Sequence, residues 1–310
     1  MPKLSVIMSN YNHAAHLPAA LESLRAQTFT DFEVFIVDDG STDRSLEILR
    51  ATAAIDPRFT IRASPTNRGL MANVPDLMAM TGAPYLHWFA SDDVLEPTFF
   101  QRAVEALDSH PAAAFAFGAF EYLHEDTGVR EPRYFAQVTS AQYFSPVDYA
   151  RQVALSDGIA IGLVAVLRRS FLDAMGGFPT ELRWYTDWFC LQALAFRHGA
   201  CLLPGIVGTY RIVPTAYHVA GPKSRQRQEE LIGAALQRLL TPPLYETLSH
   251  WKTSGAFGEM GRYIVTTLVA DPRFWNRDVF ALVFTGVRSK SFSLLRRAAG
   301  HIQGVAMFPV

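Results

Sequence analysis

Cysteine is nearly missing from this chain of 310 residues: only Cys190 and Cys201 occur. Two cysteines cannot build a disulfide framework, and their spacing suits no metal site, so a reducing cytosol is the expected compartment. Long apolar runs are missing as well. No stretch reaches the roughly 18 residues of a spanning helix. The first apolar run, Leu4 to Met8, is too short for a signal peptide and soon meets Asn10, Asn12 and His13. Excess charge of one sign is absent, the net charge being −1. A uniformly basic nucleic-acid binder is thereby excluded, and no nucleic-acid partner is expected. The loop after the first apolar run reads SNYNHAAH, without glycine or lysine. That excludes the glycine-rich basic loop of a nucleotidylyltransferase and the G-x-G-x-x-G turn of a dinucleotide dehydrogenase. Neither repeats nor low-complexity tracts are visible.

Apolar residues make up 49% of the chain and charged residues 18%, the balance of a globular enzyme with a full core. The charge is unevenly placed. Residues 1–210 carry 15 Lys and Arg against 23 Asp and Glu, and residues 211–310 carry 13 against 6. The two parts are expected to face different partners.

Residues 4–9, 32–37, 59–63 and 85–89 read as strands. Between them lie helical patterns marked by Leu17, Leu21 and Leu24, by Leu46 and Leu49 with Ser41 or Thr42 as cap, and by residues 72–80. Alternation of this kind predicts a mostly parallel α/β sheet. A helix over 99–108, strands at 114–120 and 159–167, a long active-site loop over 124–148 and a turn at Gly176-Gly177-Phe178-Pro179 follow. Next come a helix carrying Trp188, Leu191 and Ala195, and an extended segment over 201–212. From about 225 the pattern is helical, interrupted at Pro242-Pro243 and Pro272. His87 falls inside a strand and reads as a satisfied core histidine.

Ligands of such sheets sit at the carboxyl ends of the strands. Those ends read Ser9-Asn10-Tyr11-Asn12, Asp38-Asp39-Gly40-Ser41 and Ser91-Asp92-Asp93. Asp92-Asp93 is the sharpest of these. Unpaired carboxylates are too costly to bury for packing alone, whereas oxygen ligands at a strand end suit Mg²⁺ or Mn²⁺ with a diphosphate. A helix N-cap is the plain alternative. Asp187 sits between Trp184 and Trp188 before a helix, where an aromatic surround raises a carboxyl pKa and stacks a sugar ring.

Five motifs stand in order: SVIMSNYN at 5–12, QTFTDFEVFIVDDGSTD at 27–43, NRGLMAN at 67–73, WFASDD at 88–93, and GGF with YTDW at 176–188. Over roughly residues 3–215 the chain resembles the family 2 inverting glycosyltransferases, which have the GT-A fold. The resemblance implies a Rossmann-like nucleotide-sugar-binding half over 1–97, an acceptor-binding half over 98–215 and a mainly helical extension over 216–310. It implies a donor site of Ser9, Tyr11 on the base, Asp39 on the uracil edge of a UDP-sugar, Arg68, and Asp92 near the ribose or sugar. It implies a Mn²⁺ or Mg²⁺ ligand at Asp93 and a catalytic base at Asp187. His218 is a candidate metal contact, with a plain loop histidine as its alternative. Two departures weaken donor identity: Ala90 and Thr186 stand where many relatives have acids.

The implied activity is transfer from a nucleotide-diphosphate sugar to a glycan or lipid-linked acceptor in bacterial cell-surface glycoconjugate synthesis. A non-catalytic sugar-nucleotide-binding module is the rival, disfavoured because binding alone needs no base. Residues 288–310 combine Arg288, Lys290, Arg296 and Arg297 with apolar side chains. They are a candidate for peripheral contact with the inner face of the membrane; a terminal packing helix is the alternative, and a homo-oligomer is left open.

Overall fold

The structure, a computed structural model, describes residues 1–156, 164–212, 224–260 and 262–283. Its centre is a mixed sheet, ten-stranded among the described residues. Strand β1 (Leu4–Asn10) lies between β2 (Phe32–Asp38) and β4 (Tyr85–Ala90), and β3 (Phe59–Ala63) flanks β2. These four run parallel. Their apolar runs follow from burial on both faces, as β1 shows from Leu4 to Met8. Register then aligns the carboxyl ends: Asn10 pairs with Asp38 and Ser9 with Ala90.

Beyond β4 the sheet changes direction. Strand β9 (Ala165–Arg168) is antiparallel to β4 and to β6 (Phe115–His124). β10 (Ala200–Ile212) is parallel to β6, and the two-residue β5 (Val94–Leu95) closes the far edge against β10. Pairing of β10 with β6 shifts register between Leu202 and Gly208, where Pro204 withholds an N–H and Gly205 takes φ +72°.

Three expectations need correction. Residues 124–148 do not form one long loop. They contain β7 (Arg130–Arg133), paired with β6, and β8 (Gln142–Phe144), paired with β10, and α5 (Pro146–Leu155) begins within them. β7 is an edge strand with mostly exposed side chains, so no apolar alternation marks it. Phe135 nevertheless buries its ring against Phe117 and Tyr149. Secondly, neither Ser41 nor Thr42 caps the second helix. α2 (Ser45–Ile55) starts later, and Asp43 accepts the Ser45 N–H at 2.9 Å. Ser41 instead donates its hydroxyl to Asp38 at 2.7 Å. Thirdly, His87 is only half satisfied. It is fully buried and its Nδ1 bonds the Ala165 carbonyl, but Nε2 meets no acceptor or donor among the described residues.

Four other helices stand close to where their patterns placed them, α1 (Leu17–Arg25), α3 (Leu70–Met80), α4 (Phe99–Ser109) and α7 (Thr186–His198), and the short α6 (Arg169–Ala174) is one that no pattern had marked. Helices Arg225–Leu239, Leu248–Ser254 and Arg262–Ala270 follow. They share the sheet's apolar core. Trp251, fully buried, stacks on Phe189 and packs edge-on against Phe196 and Trp188. Among the described residues, no helix is long and apolar enough to cross a membrane.

Candidate functional site

The turns after β1 and β2 are zipped together by short polar side chains. Asp38, buried, accepts from Asn10 Nδ2 at 2.8 Å and from the Ser41 backbone at 3.1 Å. Asn12, in the left-handed region at φ +55°, accepts the Thr42 N–H at 2.7 Å. Gly40 has φ +73°, and a Cβ there would lie 2.7 Å from the Thr66 backbone. Only glycine lets this turn lie against the segment leading into α3. Asp39 uses that closeness. Its two oxygens accept the N–H groups of Arg68 at 2.9 Å and Gly69 at 2.8 Å, holding the start of α3 against the end of β2. Each carboxylate oxygen keeps a further lone pair.

A cleft opens at these strand ends. Ser9, His13, Ser91, Asp92, Asp93, Arg183, Trp184 and Asp187 line it, with Trp88, Phe178 and Tyr210 among its apolar walls. Thus four of the expected residues, Ser9, Asp92, Asp93 and Asp187, meet in one place although up to 178 positions separate them. Of the other expected residues, Tyr11, Asp39 and Arg68 do not line this cleft. Tyr11 is 41% exposed. Asp39 is buried beneath the Arg68–Gly69 backbone. Arg68 turns its guanidinium to Asp76 at 2.8 Å. His218 and residues 288–310 lie outside the described residues.

Asp93 is 2% exposed and accepts the Arg211 N–H at 3.0 Å. Burial first, and then the charge of Asp92, push its carboxyl well above the ordinary range, against the pull of Arg211. Such a pair is short of positive charge. Among the described residues no cluster of three or more His, Cys, Asp or Glu stands ready as a metal cage. Two carboxylates at a strand end are oxygen donors of the kind a hard cation such as Mg²⁺ takes, its other positions then falling to a substrate or to water. Asp187 sits in the first turn of α7, half-buried, and accepts the N–H of Trp188 at 2.8 Å.

Several residues here had not been singled out as site candidates. His13 Nδ1 lies 2.7 Å from the Ser91 hydroxyl, just before the acidic pair. Glu125 bridges His16 and Arg211, at 3.0 Å from each. Burial works against the charge of Glu125, but those two bonds hold its carboxyl below the ordinary value. Arg183 adopts φ +51° and ψ −116° within the turn before α7. These contacts join residues far apart in the chain, so no local pattern announced them. The one local signal was the cation at 183 within the stretch leading to Asp187.

A model of the glycosyl transferase family 2 matches residues 5–176. An uncharacterized glycosyltransferase of Nostoc sp. is 37% identical over 115 residues, 34% of this chain and 33% of that protein. The matched stretch is thus about a third of that relative's own length. Among solved structures, Staphylococcus aureus TarS 1-349 in complex with UDP-GlcNAc superposes with a TM-score of 0.66 at 15% identity, covering 93% of this chain and 92% of that one. The mannosyltransferase PcManGT of Pyrobaculum calidifontis, in complex with GDP-Man and Mn²⁺, superposes with a TM-score of 0.59 at 18% identity, covering 96% and 84%. At these identities the structural likeness speaks for the fold.

Proposed function

The chain belongs to glycosyl transferase family 2, and from that premise we propose that it moves a sugar, with inversion, from a UDP-sugar to an acceptor hydroxyl. The observation that carries the reading is the meeting of Asp93 and Asp187 in the lining of one cleft. In-line displacement at an anomeric carbon needs a base for the incoming hydroxyl and positive charge for the departing diphosphate. Asp187 is the base: it lies at the cleft wall, held by the first turn of α7. Asp93, with Asp92 beside it, would hold Mn²⁺ or Mg²⁺. When bound, that cation supplies charge neutralisation of the leaving diphosphate.

The donor's nucleotide half is read at the ends of β1 and β2. Tyr11 offers an exposed ring for the base. Asp39, fixed by two backbone N–H groups, offers its remaining lone pairs to a base edge. Arg68 contributes through its backbone, its side chain being engaged with Asp76. Ser9, held by Asn73 at 3.0 Å, lines the donor floor. Residues 1–97 then form the nucleotide-sugar half, 98–215 the acceptor half, and 216–310 a helical extension. The relatives bound to UDP-GlcNAc and to GDP-Man with Mn²⁺ support a nucleotide-diphosphate donor and a divalent ion. A glycan or lipid-linked saccharide of the bacterial surface is the acceptor class in this reading, with the protein cytoplasmic and 288–310 touching the inner membrane.

The test is release of nucleoside diphosphate from a panel of UDP-, GDP- and dTDP-sugars, with and without Mn²⁺, in wild type, Asp93→Ala and Asp187→Asn. Release from a UDP-sugar that needs both the metal and Asp93 is expected. Wild-type protein that binds these donors yet releases no nucleotide with any glycan acceptor is a binding module instead.

A further inference from the structure

Arg183 is held in a backbone conformation that non-glycine residues avoid, φ +51° with ψ −116°. Such a state costs on the order of 1–3 kcal/mol and persists only where the surroundings enforce it. The enforcement is visible. Leu182 is fully buried, Thr186 donates its hydroxyl to the Pro179 carbonyl at 3.0 Å, Tyr185 bonds Gln228 at 2.6 Å, and Glu181 is paired with Arg238. Four neighbours are thus anchored, and the residue between them is left exposed.

Its side chain is unusual in a second way. Among the described residues, Arg183 is the one arginine or lysine lining the cleft, facing a lining that also carries Asp92, Asp93 and Asp187. Its guanidinium makes no ion pair or hydrogen bond with any described residue. Arginines elsewhere, such as Arg58, Arg68 and Arg211, have carboxylate partners. A strained turn thus places, four residues before the base, a planar cation with no partner among the described residues. A guanidinium fork matches a phosphate oxygen pair in geometry and charge.

We infer that Arg183 is a phosphate-recognising residue of this cleft, taking either the donor's diphosphate or a phosphate carried by the acceptor. The inference rests on the reading of the cleft as the transfer site. It adds a contact that the cation at Asp93 does not provide, on the wall that holds Asp187.

Calorimetric titration of the full chain with UDP and Mn²⁺, and then with glycerol 3-phosphate with and without saturating UDP, separates the sources. In Arg183→Gln, a roughly tenfold weaker UDP affinity assigns the donor diphosphate; a charge-assisted hydrogen bond is worth about that much. Unchanged UDP affinity with glycerol 3-phosphate binding lost assigns an acceptor phosphate. Wild-type affinity for both probes in the variant overturns the inference, as does a wild type that binds UDP but whose variant loses neither. Arg183→Gly removes the guanidinium and the strain together. It should lose the same binding while melting at a higher temperature than wild type, and a Gly variant that binds as wild type also overturns the inference. If wild-type protein binds no UDP with Mn²⁺, the transferase reading fails, and the glycerol 3-phosphate arm without UDP still decides for or against Arg183.

Discussion

The backbone N–H of Arg211 donates to Oδ1 of Asp93 at 3.0 Å, joining residues 118 positions apart. The bond ties the end of β10 to the acidic pair after β4. It is the main favourable contact of a carboxylate otherwise burdened by burial and by the charge of Asp92. Because the donor is backbone, no substitution at position 211 other than proline deletes it.

Asp93→Ala deletes the acceptor of that bond and the expected metal ligand together. Mn²⁺-dependent binding of UDP should be lost, leaving the same weak affinity with and without metal. Asp93→Asn keeps an oxygen for the Arg211 N–H, so it should fold as wild type while losing metal dependence. Titration calorimetry with UDP, with and without Mn²⁺, checks both. Unaltered metal dependence in Asp93→Asn would mean that the cation binds elsewhere.

Asp187→Asn preserves shape and removes a proton acceptor. Turnover should fall by at least about 100-fold, the lower range for general base catalysis. UDP affinity should stay within about twofold, since the base acts on the acceptor. Steady-state rates beside calorimetry read the two effects separately. Surviving turnover would hand the base role to another group.

His87 predicts a pH dependence of stability. Burial lowers its pKa to about 4, opposed by its bond to the Ala165 carbonyl. The unfolded chain protonates near pH 6.5 while the folded one stays neutral, so stability falls as pH drops through the window from about 6.5 to 4. Wild type should lose about 2 kcal/mol from this group between pH 7 and pH 5. His198 and His250 shift in the same direction. His87→Leu is therefore the proper reference: urea unfolding should show it less acid-sensitive than wild type by that amount. Parallel pH profiles would place the titration elsewhere.

Trp251→Ala should cost about 3–5 kcal/mol, as for large aromatic deletions in a core. The ring is fully buried, contacts four aromatic neighbours, and loses its indole bond to Thr247 at 3.1 Å. A single unfolding transition that shifts as a whole is expected. A separate early transition would show that helices after residue 225 melt independently.

What could be read from the sequence divides along physical lines. β1, β2 and β4 announce themselves because central parallel strands are apolar on both faces. β7 does not, because its side chains stay mostly in water, and β8 does not, because three residues are too few to show an alternation. Asp92-Asp93 and Asp187 are legible as acids in places that packing would not choose. The His13–Ser91 contact and the Glu125 bridge to His16 and Arg211 are not, since each depends on the sheet order. Asp39 was legible as an important acid, yet its two bonds to the start of α3 belong to a turn that local pattern does not encode.

Trp188 follows Asp187 directly, and its ring meets Trp251 and Phe257 at 5.7 Å each. The wall bearing the acid is therefore backed by side chains from beyond residue 247. Grafting the last segment of a relative onto this sheet would exchange more than a tail, since a new backing surface re-seats the helix that starts at Thr186. Divergence in that late region and divergence in what the cleft accepts are then coupled by ring shape, and a lineage altering one inherits a constraint on the other.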